Sequence, residues 1–199
     1  MSSIVLSGDT SGQVSLTVPA IAGSNTVTIP AGTGTAAVQG VSTNIVSGTA
    51  VASTSGTSIT FSSIPSWVKR ITVMFQGVST SGTSVLQMQI GAGSVTNTGY
   101  LSGGFTQAIG GGITAFNSTT GFVLIQPQAN TNLFHGAFTI CSMGSNTWAM
   151  SAAVGSTGGN YGASSGGSIT LSGTLDRVAI TTVAGTATFT AGSINILYE

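Results

Sequence analysis

Few side chains in this sequence could carry out acid–base, nucleophilic or metal chemistry. The 199 residues include three acids, three bases, one histidine and one cysteine. Glycoside hydrolysis needs a pair of carboxylates, whereas Asp9, Asp176 and Glu199 lie far apart in the sequence. A single histidine and a single cysteine form no metal site of known spacing. The sequence therefore predicts a protein that is not an enzyme and that holds no metal or cofactor.

The histidine and the cysteine both lie in one apolar run that alternates like a strand. His135 falls on the face opposite Phe134 and Phe138, which predicts a solvent-facing or interface side chain, because a general base would need an oriented partner. Cys141 follows the apolar Ile140, and we expect a buried, inert thiol there because free cysteines are commonly buried. One cysteine also excludes an intrachain disulfide.

The charged residues suggest one specific contact. Lys69 and Arg70 begin one predicted strand and Asp176 begins another, so an ion pair of Asp176 with Lys69 or Arg70 would hold the register between strands. The alternative is that Trp67, together with the two bases, contacts a saccharide or a partner. We favour the structural ion pair, because aromatic residues at strand starts usually pack on the core edge. Three scattered bases make no phosphate-binding stripe, so nucleic-acid binding is not expected.

The composition predicts association rather than a free monomer. Charged residues make up 3% of the chain, against roughly a quarter in ordinary soluble domains. Such a surface has weak electrostatic protection against association, so we expect a stable assembly that hides much of it. The sequence begins without the pattern of a signal peptide, and no apolar run reaches the length of a membrane span, so we expect no membrane insertion.

The elements that must position these residues are short strands separated by turns rich in Gly, Ser and Thr. In the central strand, residues 68–78, the side chains of Ile71, Val73 and Phe75 fall on one face. No segment shows the apolar stripe of a helix. The pattern predicts an all-β protein in which residues 44–199 form an antiparallel, jelly-roll-like β-sandwich, preceded by a small N-terminal β segment, residues 1–43.

Four stretches are expected to lie between strands. Residues 94–117 and 155–167 are rich in glycine and predict exposed loops. The hexapeptide Ser-Thr-Ser-Gly-Thr-Ser occurs at 53–58 and again at 79–84. Because each copy precedes an alternating run, we interpret it as a hairpin turn that is used twice in one sheet.

The N-terminal segment needs a partner. Its alternating runs, 14–18 and 26–29, stop at Pro19 and Pro30. Two or three strands of this length are not stable alone in water. The partner would be the same segment of other subunits or a larger particle.

Several stretches resemble a family of tailed-bacteriophage virion proteins of the tail-fibre, head-fibre or capsid-decoration type. They are Ile64–Phe75, Leu175–Val178 and Ala191–Glu199. The segment that contains Leu6-Ser7-Gly8-Asp9-Thr10-Ser11-Gly12 is similar to an N-terminal module that is common on such proteins. The resemblance implies attachment to the virion, for which the candidate residues are Leu6, Val14, Leu16, Val18, Val27 and Ile29.

The resemblance also implies the function and the partners. It implies a non-enzymatic structural protein of the virion, a homotrimeric fibre or capsid decoration protein that contacts its own copies and the capsid or tail. The rival hypothesis is a receptor-binding adhesin that contacts host surface polysaccharide. In that case the sugar rings would stack on aromatic side chains of exposed loops, namely Tyr100, Phe105, Trp148 or Tyr161.

Overall fold

A computed structural model describes residues 3–7, 13–17, 45–127 and 129–199 of the chain. By its internal contacts the chain divides into two compact units, Met1–Val38 and Gln39–Glu199. Every regular element of the described residues is a strand, and every pairing is antiparallel. The all-β, antiparallel fold predicted from the alternation is therefore confirmed.

The first unit contains a β-hairpin. Strand β1 (Ser3–Ser7) pairs with β2 (Gln13–Thr17), and the register places Leu6 opposite Val14 and Ile4 opposite Leu16. Three of the candidate attachment residues therefore lie in paired strands. The other three, Val18, Val27 and Ile29, lie outside the described residues.

The second unit consists of two antiparallel sheets. The strands of the large sheet are β3 (Val46–Ser47), β4 (Val51–Ala52), β6 (Arg70–Thr80), β9 (Leu101–Ala108), β10 (Ile113–Ser118), β12 (Leu133–Gly144), β13 (Thr147–Thr157), β14 (Tyr161–Thr170) and β16 (Phe189–Tyr198). Their order is β10-β9-β14-β13-β12-β6-β16, and β3 and β4 pair with the outer side of β16. The small sheet contains β5 (Ser58–Ser62), β7 (Leu86–Ala92), β8 (Ser94–Val95), β11 (Phe122–Ile125) and β15 (Arg177–Thr182). Its order is β11-β7-β15-β5, with β8 paired to β7.

The hydrophobic core is built from the alternate residues of the strands. Ile71, Val73 and Phe75 of β6 are buried. Thr72 and Met74, which lie between them, are partly exposed, as the period of two predicts. The rings of Phe75 and Phe138 lie 4.8 Å apart. Burial of these apolar side chains is the main term that stabilises the domain.

Both stretches that were expected to be loops form strands instead. Residues 94–117 contain β8, β9 and most of β10, and residues 161–167 belong to β14, which is paired on both sides. The glycines that suggested loops are needed where backbones approach closely: a Cβ on Gly104 would lie 2.6 Å from the Ser164 carbonyl oxygen, and one on Gly167 would lie 2.6 Å from that of Leu101. The prediction failed because glycine serves close packing as well as turns.

The two copies of the hexapeptide occupy equivalent positions in the fold. The first leads from β4 to β5 and the second from β6 to β7, so each crosses from the large sheet to the small one. Both contact the chain where β16 begins: Phe189 N–H donates to Gly56 O (2.8 Å), and Ser81 N–H donates to Thr188 O (2.8 Å). The expected hairpin turn within one sheet is therefore wrong.

Candidate functional sites

The charged side chains of the described residues lie at one end of the sandwich, which we call the charged end. Lys69 and Arg70 stand where β6 begins, and Glu199 follows the antiparallel β16 at the same level, where its N–H donates to Arg70 O. Asp176 and Arg177 stand where β15 begins, opposite the end of β5. The remaining charged residue of the sequence, Asp9, is not among the described residues.

The ion pairs at the charged end differ from the predicted one. The Arg70 guanidinium pairs with the Glu199 carboxylate, and Arg177 donates to Asp176 through its Nε (2.7 Å) and through a terminal nitrogen (3.1 Å). The predicted pair of Asp176 with Lys69 or Arg70 is therefore not formed among these residues. The reason is that Arg177 is the immediate neighbour of Asp176, while the register of β16 beside β6 brings Glu199 to Arg70. The sequence-based prediction did not include Glu199 as a partner of Arg70. An antiparallel pairing of β16 with β6 could have suggested it.

Asp176 also fixes a turn of the small sheet. Its Oδ2 accepts a hydrogen bond from Gly93 N–H at 3.1 Å, between β7 and β8. The hydrogen bonds from Arg177, supported by the one from Gly93, hold the pKa of the Asp176 carboxyl below its usual value. Asp176 thus contacts the β7–β8 turn through Gly93, in place of the predicted contact with Lys69 or Arg70.

Lys69 lines a cavity of about 160 Å³ at the charged end and forms no ion pair with the described carboxylates. The neighbouring Trp67 packs on Tyr198, with ring centroids 5.9 Å apart and 42% of the residue exposed. Of the two residues that the alternative hypothesis had joined in one contact, Lys69 lines the cavity and Trp67 does not.

A second concave region lies at the opposite end of the large sheet. It is an open depression of about 760 Å³, formed where the β9–β10 turn meets the β13–β14 turn, and Ile109 N–H joins the two turns by donating to Asn160 O at 3.0 Å. The lining has no charged side chain and combines apolar with amide and hydroxyl groups; it includes Phe105, Gln107, Ile109, Ser156, Asn160 and Ser164. This combination suits an uncharged ligand with both hydrogen-bonding and apolar parts.

Most of the aromatic side chains proposed for sugar stacking are buried. Tyr100 is fully buried, and Trp148 and Tyr161 are each 5% exposed, whereas Phe105 is 40% exposed. The Tyr161 hydroxyl donates to Asn132 Oδ1 at 2.8 Å. Three of the four residues are therefore excluded as stacking platforms. Their large apolar surfaces stabilise the core, while Phe105 points from the outer face of β9.

The two remaining candidates for chemistry lie on the outer face of the large sheet. His135 is exposed, as predicted, and its Nδ1 accepts a hydrogen bond from Gly77 N–H at 3.3 Å. Cys141 is exposed, so the predicted buried thiol is wrong. Because the neighbouring Ile140 faces the core, the alternation of the strand turns Cys141 outward.

The described part of the chain lacks two features, a metal-binding cluster and a membrane-spanning helix. It contains no group of three or more His, Cys, Asp or Glu side chains that could hold a metal ion. It also contains no helix with the length and hydropathy that crossing a membrane would require.

Comparison with known proteins identifies no family for this chain. It matches no protein-family model, no curated protein and no solved structure. The functional conclusion therefore depends on the residues and on the geometry of the two sheets.

Proposed function

We propose that this protein is a non-enzymatic structural component of a tailed-phage virion. It would be a homotrimeric fibre or capsid decoration protein that is anchored by residues 1–43. The observation that carries this proposal is the confinement of charge to one end of the sandwich, which leaves the outer face of the large sheet free of charged side chains away from that end. A face of this kind can associate without burying unpaired charges.

The centre of this outer face is suited to packing against another copy. In register, Thr72 lies opposite Thr139 and Met74 lies opposite Ala137, and all four side chains are partly exposed. The hydroxyl oxygens of Thr72 and Thr139 lie 3.4 Å apart, so one of the two hydroxyls can donate to the other within the face. Small and apolar groups that need no outside hydrogen-bond partner lose little on leaving water.

The N-terminal unit supports the role as an anchor. Residues 1–38 separate from the sandwich as a unit of their own, and the hairpin β1–β2 has only two described strands. An isolated two-stranded hairpin is marginally stable in water. Docking on other virion proteins would supply the missing partner, and closed symmetry is the usual arrangement for copies of one chain.

The assembly is tested by measuring the mass of the purified full-length protein in solution by light scattering and sedimentation. We expect a trimer that persists on dilution. Ala137→Glu places a charge in the proposed interface and should produce monomers, while Thr54→Glu, at an exposed site in the first hexapeptide, should leave the trimer intact. A monomeric wild-type protein would refute the assembly.

The virion location is tested separately. Tagged full-length protein should label purified particles in electron micrographs, whereas Leu6→Asp combined with Leu16→Asp should abolish incorporation. Ser3→Asp, which adds charge to the same hairpin outside the candidate positions, should still be incorporated. Particles without label, from cells that produce soluble protein, would exclude the virion role.

Binding of host surface polysaccharide is a second candidate function, and the uncharged depression beside Phe105 favours it. Retention on neutral cell-surface polysaccharide should be lost in Phe105→Ala. Leu101→Ala is the matched control, because Leu101 is an exposed apolar residue of the same strand and face that does not line the depression. Equal loss in both variants, or no retention of the wild type, would exclude this function.

A further inference from the structure

Lys69 carries the one positive charge of the described residues that has no carboxylate partner. Arg70 is paired with Glu199, and Arg177 is paired with Asp176. Both arginines are thus paired, and the Lys69 ammonium lies beside them without a carboxylate side chain as partner. An unpaired cation in a chain with three bases and three acids indicates a place where a negative group can bind.

The backbone holds Lys69 in a fixed position. Its N–H donates to Glu199 O at 2.7 Å, and its carbonyl accepts from Ser142 N–H at 2.8 Å. Lys69 is thus tied to both neighbours of β6 in the large sheet. Its side chain lines the 160 Å³ cavity together with Trp148 and Leu175, which both belong to the hydrophobic core.

The rest of the cavity offers neutral hydrogen-bond donors. Hydroxyl groups come from Ser66, Ser142 and Thr174, and an amide comes from Asn146. The Ser142 hydroxyl oxygen accepts from Gly144 N–H at 3.3 Å, so its own proton remains able to donate into the cavity. No acidic side chain lines this space.

The turn between β12 and β13 adds backbone donors. Gly144, Ser145 and Asn146 have positive φ values of 91°, 49° and 59°. Ser145 and Asn146 are the two central residues of the β12–β13 hairpin turn, a kind of turn in which both adopt positive φ. The Gly144 N–H already donates to the Ser142 hydroxyl, so the backbone donors that this turn brings to the cavity are the N–H groups of Ser145 and Asn146.

We propose that this cavity binds a compact oxyanion, with Lys69 as the cation and the surrounding hydroxyl, amide and N–H groups as donors. The volume of about 160 Å³ equals that of roughly five water molecules at about 30 Å³ each. It suits a phosphate, sulfate or carboxylate group with some retained water.

The oxyanion could be a free ion or a group on a larger molecule, and the chemistry of recognition is the same. Inorganic phosphate represents the free ion, and dextran sulfate represents a sulfate ester on a polymer. This inference does not depend on the virion role, because binding can be measured on the purified full-length protein.

Binding is tested by titrating each probe while the indole N–H resonance of Trp148 is followed by NMR, in about 0.15 M NaCl, where charges beyond about 8 Å are screened. We expect saturable shifts with phosphate or dextran sulfate, and none with additional sodium chloride. Lys69→Gln should weaken binding by about tenfold or more, as loss of a charged hydrogen-bond donor implies. A response to phosphate identifies a free-ion site, and a response to dextran sulfate alone identifies a polymer-borne group.

The control is Arg70→Gln combined with Glu199→Gln. This double variant removes a neighbouring ion pair that does not line the cavity and leaves the net charge unchanged. Its affinity should stay within about twofold of the wild type, since two opposite charges that pair with each other outside the cavity contribute little. No saturable shift with either probe, or equal binding by wild type and Lys69→Gln, overturns the proposal.

Discussion

The hydroxyl of Tyr100 forms two hydrogen bonds with the backbone of Ile90. It accepts from Ile90 N–H at 2.7 Å and donates toward Ile90 O at 3.2 Å, with Thr96 O as a further acceptor at 3.0 Å. The ring is fully buried and meets Phe122 edge-on, with centroids 4.9 Å apart. Tyr100 thus ties the chain just before β9 to the end of β7, across the two sheets.

This arrangement predicts a loss of stability at high pH. Burial raises the pKa of Tyr100 from 10.0 to about 12. Above pH 10 the unfolded chain loses the phenolic proton while the folded chain keeps it, so the free energy of unfolding falls as the pH rises from 10 to about 12. With about 1.4 kcal/mol per pKa unit, the fall attributable to Tyr100 is about 2–3 kcal/mol. Urea unfolding at several pH values measures it.

Tyr100→Phe checks the assignment. At neutral pH it should cost about 1–3 kcal/mol, because Ile90 N–H loses its buried partner. Between pH 10 and 12 its stability should decline less than that of the wild type. An unchanged decline would show that other groups cause the alkaline effect.

The lowered pKa of Asp176 predicts a smaller loss of folding stability at low pH. Its lowered pKa means that the unfolded carboxyl takes up a proton near pH 3.8, while the folded one stays ionised to a lower pH. Stability is therefore present above that range and is lost as the pH falls through the lowered pKa. Because 37% of the side chain is exposed, we expect the loss to be below about 1 kcal/mol. Asp176→Asn should remove this part of the acid dependence in urea titrations, and a full acid response in the variant would contradict the role of Asp176.

Gly192 predicts a large mutational effect. It lies in β16 with φ +91°, where the register against β6 shifts, and an added Cβ would collide with the Gly77 carbonyl. Gly192→Ala should therefore cost about 2 kcal/mol or more, from the left-handed conformation and the overlap together. Gly155→Ala is the matched strand control, because a Cβ there meets nothing within 4 Å. Comparable stabilities of the two variants in urea would show that the bulge is not constrained.

Cys141 predicts reactivity that reports on assembly. Its exposure on the outer face of β12 means that a disulfide reagent should label one thiol per chain without denaturant in dissociated protein. If the trimer buries this face, labelling of the wild-type trimer should be slower than labelling of the monomers that Ala137→Glu produces, since modification follows access. A thiol that reacts only after unfolding would contradict its exposed position. Equal labelling rates in the trimer and in these monomers would place the interface elsewhere.

The alternation of apolar residues predicted much of the fold. The faces of β6, the exposed position of His135 and the all-strand character of the described residues all followed from the period of two. The failures share one cause, since local sequence does not specify the neighbouring strands. The glycines of β9 and β14 were interpreted as loops, although they permit close approach between paired backbones.

The sequence alone determined how many ionisable groups this protein has, and with it the kinds of chemistry that are open to it. Tertiary structure decided where those groups meet. Glu199 reached Arg70 and Lys69 was left beside a cavity because strand register joins residues that are distant along the chain. Tyr100, just before β9, is fully buried, whereas Phe105 within β9 is 40% exposed. Contacts of this kind depend on the whole sheet order, which no local pattern of side chains encodes.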